Sequence, residues 1–96
     1  MSYDIPQRVE REIVLFVKAH DVQKVILFGS RARGTNSPRS DIDIAVVGGD
    51  VDAFCADITE KVYSLLMFDI VLLEQDVSEE LKEEIRRDGV IIYEKA

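Results

Sequence analysis

Two aspartates separated by one residue, Asp41 and Asp43, follow a Gly29-Ser30 pair, and a third, Asp69, interrupts a long apolar run. Residues i and i+2 of a strand share a face, so Asp41 and Asp43 are expected side by side. Close carboxylates repel, and one stays protonated unless a cation neutralises them. Hard oxygen donors of this kind suit Mg²⁺, which takes one or two carboxylates and fills its shell with substrate phosphates. A solvent-facing strand edge would carry the same two residues with no metal at all. Asp69 lies within Leu65-Leu66-Met67-Phe68-Asp69-Ile70-Val71-Leu72-Leu73, where a lone buried carboxylate is costly. A metal shared with Asp41 and Asp43 would supply its partner; a strand start exposed to water would need none. Three such carboxylates could hold two ions, about 4 Å apart, that clamp the attacking and leaving oxygens of a phosphoryl transfer.

Gly29 and Ser30 end an apolar run and open a basic loop. Glycine lets backbone approach a phosphate closely and adopt unusual dihedrals. The Ser30 hydroxyl and the amides after it can donate to phosphate oxygens, especially if residues 31–34 begin a short helix. A plain strand-ending turn would look the same, and no Gly-Lys-Ser/Thr of a Walker A loop is present. Arg31, Arg33 or Arg39 could neutralise a triphosphate or pyrophosphate; any one could equally be a solvated surface arginine. The net charge of −7 argues against a general nucleic-acid binder. Between Val22 and Ser40, however, Lys24, Arg31, Arg33 and Arg39 stand with no acid among them. A small positive field inside an acidic protein suits a phosphate ligand.

Other polar residues read as structural. His20 suits the C-terminal end of a helix. Cys55 falls on an apolar helix stripe, as an inert core thiol would. Glu79, Glu80, Glu83 and Glu84 with Lys82, Arg86 and Arg87 resemble a solvated helix face.

The elements that must position these groups are legible in outline. Residues 6–19 read as a helix with Pro6 in its first turn and an apolar stripe of Val9, Ile13, Phe16 and Val17. Val25 to Phe28 is a short buried strand. Ile42, Ile44 and Val46 alternate with Asp41, Asp43 and Ala45, the period of a second strand. Asp50 or Asp52 can cap the next helix, whose stripe is Val51, Phe54, Cys55, Ile58, Val62 and Leu65. Phe68 to Leu73 is a third strand. Asp76 and Glu79 have capping-box spacing at the start of a last helix. Asp88-Gly89 closes it through a left-handed glycine, and Val90 to Tyr93 adds an edge strand. This order predicts an α/β (α+β) fold: a single small domain over residues 1–96, with a mixed sheet flanked by helices.

With 96 residues the chain suffices for one small domain. Such a domain buries only about 60% of its unfolded surface, so it gains from a partner or a second copy of itself. A hydrophobic fraction of 47% supports a real core. No apolar run reaches the roughly 18 residues of a membrane span, and Met-Ser-Tyr-Asp-Ile-Pro-Gln-Arg lacks the apolar core of a signal peptide. The single cysteine cannot form an internal disulfide, which suits a reducing cytoplasm.

Gly29-Ser30, Asp41-Ile42-Asp43 and Asp69 on a later strand resemble the DNA polymerase beta-like nucleotidyltransferase superfamily. The fuller run from Gly-Ser-Arg-Ala-Arg-Gly to Ser-Asp-Ile-Asp-Ile-Ala-Val resembles its minimal nucleotidyltransferase branch, as does the segment from Leu81 through Gly89-Val90-Ile91-Ile92-Tyr93-Glu94. The resemblance covers nearly the whole chain. It implies a mixed-sheet core and transfer of a nucleoside monophosphate, such as AMP from ATP or another nucleoside triphosphate, to a hydroxyl with release of pyrophosphate. By position it implies that Gly29 and Ser30 hold the β- and γ-phosphates and that Arg33 contacts phosphate. It implies that Asp41 and Asp43 bind the metals, two Mg²⁺ or Mn²⁺ ions, and that Asp69 binds one and helps deprotonate the acceptor. Larger relatives add domains for the acceptor. Here the chain ends at Ala96, so little surface or a partner must recognise it. Small members of the branch often pair, as antitoxins, with a helical HEPN ribonuclease toxin and transfer AMP to one of its tyrosines. Two other readings stand beside that one: a non-catalytic antitoxin acting by binding alone, and a small-molecule nucleotidyltransferase completed by a second subunit.

Overall fold

The computed structural model describes residues 5–37, 41–61, 67–75 and 77–95. Among them the elements run α1 (Gln7–Ala19), β1 (Lys24–Phe28), α2 (Ser30–Arg33), β2 (Ile42–Val47), α3 (Val51–Lys61), β3 (Phe68–Leu72), α4 (Glu79–Asp88) and β4 (Val90–Glu94). The strands form one sheet in the order β3-β2-β1-β4. β1 pairs antiparallel with both β2 and β4, whereas β2 and β3 run parallel. The sheet is therefore mixed, as the sequence suggests. A parallel pair cannot be joined by a tight turn, and α3 lies on the connection between β2 and β3.

Strand alternation sorts the side chains into two layers. Val25 and Leu27 of β1 and Ile42, Ile44 and Val46 of β2 face a core shared with Val9, Ile13 and Val17 of α1 and Phe54 and Ile58 of α3. Each such buried aliphatic side chain contributes about 1.5–3 kcal/mol relative to exposure. The intervening residues, Phe28 and Ala45, pack with Ile85 of α4 in a smaller cluster on the opposite face. Asp43 therefore points to the α4 side of the sheet, since Ile42 and Ile44 occupy the other core.

Helix ends differ in places from the sequence reading. Pro6 stands just outside α1 as its N-cap rather than in its first turn, and its carbonyl accepts from the Glu10 N–H at 3.0 Å. Asp50, not Asp52, serves α3: its Oδ1 accepts from the Ala53 N–H at 3.2 Å. Ser78 caps α4 by accepting from the Leu81 N–H at 3.2 Å. Gly89 is extended (φ −66°, ψ 143°), not left-handed. Its glycine is required because a Cβ would strike the Ile85 carbonyl and come within 2.7 Å of Ile26 Cγ2, so α4 ends hard against β1. Val62, Leu65 and Asp76 lie outside the described residues.

His20 is the residue after α1, and its Nε2 bonds to Asp57 Oδ2 of α3, tying the two helices together. Cys55 is only half-buried, and burial, followed by the nearby Asp52, raises its thiol pKa. No helix among the described residues is long and apolar enough to cross a membrane.

Candidate active site

The site gathers where β1 ends and β2 and β3 begin. β1 runs out at Phe28, which stands opposite Asp43 of β2. Asp43 in turn is in register with Asp69 of the parallel neighbour β3. Facing residues of a ladder share a face, so Asp43 and Asp69 project to the α4 side together. Asp41 immediately precedes β2 and is exposed.

Asp69 departs from expectation. It is exposed, not buried among apolar neighbours. β3 is an edge strand and its other residues are only half-buried, so the cost of an unpaired interior carboxylate does not apply. What ties Asp69 to Asp43 is register.

Asp43 is the electrostatic centre of the group. Its pKa is raised from 3.8 to about 6, chiefly by burial and then by the charges of Asp69, Asp41 and Glu84, while Arg33 opposes the rise. Three neighbouring carboxylates thus bear on Asp43 at the end of the sheet. Among the described residues, no three His, Cys, Asp or Glu side chains stand close enough to hold a metal ion as they are. The chemistry of the donors still suits a hard divalent cation: all are oxygen, and the central one is partly buried among other negative charges.

Gly29 follows Phe28 with φ +74° and ψ −156°, a conformation that L side chains rarely adopt. A Cβ at this position would collide with Asp43 Oδ2. The glycine thus makes room for the carboxylate as well as turning the chain. Ser30 then opens α2, a single turn whose Ala32 and Arg33 N–H groups both donate to the Gly29 carbonyl at 3.2 Å. The turn ends at Gly34, which is left-handed.

The three candidate arginines separate. Arg31 turns inward and is only 2% exposed. Arg33 reaches toward α4, with Nη1 3.5 Å from Asp88 Oδ2 and 3.9 Å from Glu84 Oε2. Arg39 lies outside the described residues. Glu84 and Asp88 read from sequence as helix surface and helix end. Their four-residue spacing beside the buried Ile85 was the available signal that both look toward the sheet.

The chain belongs to the polymerase beta, nucleotidyltransferase family, whose model matches residues 11–96. A stretch of 61 residues is 46% identical to "Putative protein adenylyltransferase MJ0604" of Methanocaldococcus jannaschii. That match covers 62% of this chain and 58% of the relative, so it spans little more than half the relative's length. Among solved structures, a chain of a toxin-antitoxin crystallised with AMP-PNP is 27% identical and superposes with a TM-score of 0.70, covering 90% of this chain and 73% of that one. A mutant of the MntA-HpeT toxin-antitoxin gives the same TM-score and coverage at 25% identity. The small α+β domain with a four-stranded mixed sheet is the fold shared with these neighbours.

Proposed function

We propose that this protein is an Mg²⁺-dependent nucleotidyltransferase that moves AMP from ATP to a tyrosine hydroxyl of a HEPN-type toxin, and so acts as its antitoxin. One observation carries the chemical part of this reading: the in-register pair Asp43 and Asp69, with the Asp43 carboxylate set against Gly29. Family membership supports the reaction class. The likeness to a toxin-antitoxin bound to AMP-PNP supports an adenine nucleotide and a toxin partner.

In this reading Ser30 donates its hydroxyl to the β- and γ-phosphates, and the Gly29 turn lets the backbone approach them. Arg33 offsets charge that builds on the departing pyrophosphate. Asp41, Asp43 and Asp69 would hold the divalent cation or pair of cations, which when bound neutralise the triphosphate and stabilise the attacking and leaving oxygens. The acceptor oxygen forms a bond to the α-phosphorus as the bond from that phosphorus to the bridging oxygen breaks. Pyrophosphate leaves with the electron pair, and the hydroxyl proton passes to the Asp69 carboxylate. Asp69 is suited to that proton because it is exposed where an acceptor can reach it.

Binding without transfer is the second reading. Intact mass spectrometry separates the two. The purified chain is incubated with ATP, MgCl₂ and a candidate HEPN-type toxin. Transfer predicts a toxin heavier by one or more adenylyl groups and active ribonuclease lost in step. A toxin that is neutralised but unmodified establishes the binding-only reading.

A further inference from the structure

Arg33 is the last residue of the turn that follows Ser30, and two acids of α4 reach it. Asp88 is the closer and the better buried, at 18% side-chain exposure against 38% for Glu84. The same Asp88 oxygen also accepts from Arg87 Nη2 at 3.0 Å, which fixes the carboxylate on its helix. Glu84 and Asp88 lie one turn apart, with the buried Ile85 between them anchoring α4 to the sheet. The acids are therefore carried by a ten-residue helix packed on the sheet through Ile85, while Arg33 is a long side chain on a one-turn helix.

We propose that Glu84 and Asp88 are positioning residues for nucleotide binding, holding the Arg33 guanidinium beside the Gly29-Ser30 turn so that it meets the triphosphate already oriented. This inference rests on the nucleotide-transfer reading above. A guanidinium has five N–H donors in a planar fork, so carboxylates on one edge leave another edge for phosphate. Separations of 3.5 and 3.9 Å are loose enough for that sharing. Ordering a flexible side chain before the ligand arrives moves its entropy cost from binding to folding. Arg33 and Glu84 also act in opposite directions on Asp43, so the same contact lies within the electrostatic reach of the aspartates.

Calorimetry with Mg-ATP and with AMP tests the proposal. Asp88→Asn is expected to weaken Mg-ATP binding roughly five- to tenfold and Glu84→Gln roughly two- to threefold. AMP affinity stays unchanged, because AMP lacks the phosphates that Arg33 addresses. In an Arg33→Ala background neither acid variant has any further effect, and Asp88→Glu restores binding in the wild-type background. Should Asp88→Asn fail to fold, the half-exposed Glu84→Gln carries the same comparison. Unchanged or tighter Mg-ATP binding in the acid variants overturns the proposal, as does an undiminished loss in the Arg33→Ala background. Wild-type protein that binds no Mg-ATP overturns the nucleotide reading and this inference together. Binding that falls in Ser30→Ala but not in Asp88→Asn or Glu84→Gln overturns this inference alone.

Discussion

Asp43 and Asp69 stand at facing positions of the parallel β2–β3 pair, and the charge of one raises the proton affinity of the other. This arrangement is unfavourable without a cation, so it predicts how stability responds to pH and metal.

Asp43 has a folded-state pKa near 6, above its ordinary value of 3.8. The folded state therefore binds the proton more tightly than the unfolded state. Stability from this group is fully present below the ordinary value and is lost as pH rises through about 6. Asp43→Asn removes the penalty. In metal-free protein the variant is expected to melt higher than wild type near neutral pH, with the advantage fading in acid. Added Mg²⁺ should raise the wild-type melting temperature and leave the variant's nearly unchanged. Thermal melts across pH, with and without Mg²⁺, check both statements; a wild type that melts above the variant in metal-free neutral buffer contradicts them.

Ser30→Ala removes one proposed phosphate donor and leaves the backbone hydrogen bonds of the turn in place. Mg-ATP affinity is expected to fall by about 1 kcal/mol, with the melting temperature unchanged. Titration calorimetry measures the loss, and equal affinities count against a phosphate at this turn.

Gly29→Ala and Gly34→Ala make a matched comparison. Both glycines have positive φ, but only at Gly29 does the added Cβ meet Asp43; at Gly34 nothing lies within 4 Å. Each substitution should cost roughly 1–2 kcal/mol of stability for backbone strain. Only Gly29→Ala should also displace the Asp43 carboxylate, and so lose Mg²⁺-dependent nucleotide binding. Denaturant melts and calorimetry on the pair separate strain from site damage.

Asp41→Asn, Asp43→Asn and Asp69→Asn are each expected to lower transfer on the order of a hundredfold or more. Partner capture should survive, because the side chains are altered by a single atom. Mass spectrometry of the toxin and a pull-down read the two properties independently. Transfer at wild-type rate by the Asp69 variant would remove it from the chemistry.

Much of this was visible in the sequence, and the misses share a cause. The stripe of Val9, Ile13 and Val17 and the alternation around Asp43 are local patterns, and both elements formed where the periods place them. The exposure of Asp69 is not legible because an apolar run does not say whether its strand lies at the centre or edge of a sheet. The extended Gly89 is not legible for a similar reason: the atoms that exclude a side chain include Ile26, far away in the chain. Arg31 and Arg33 look alike in sequence, and only the seating of the α2 turn against β1 sends one inward and the other outward. Glu84 and Asp88 acquire meaning only once α4 lies across the sheet.

The crossover through α3 also has a kinetic meaning. β1 and β2 are neighbours in sequence and can pair early, but Asp69 reaches Asp43 only after the chain has returned to lay β3 on the sheet edge. Non-local pairing of this kind forms late, because its loop must close before any contact repays it. Edge elements are also among the first to open in local unfolding. The carboxylate pair should therefore form after the central β1–β2 pair and open before it, so that loss of metal affinity precedes loss of the hydrophobic core. A chain beginning to melt from the β3 edge would be chemically silent while its central strands still hold together.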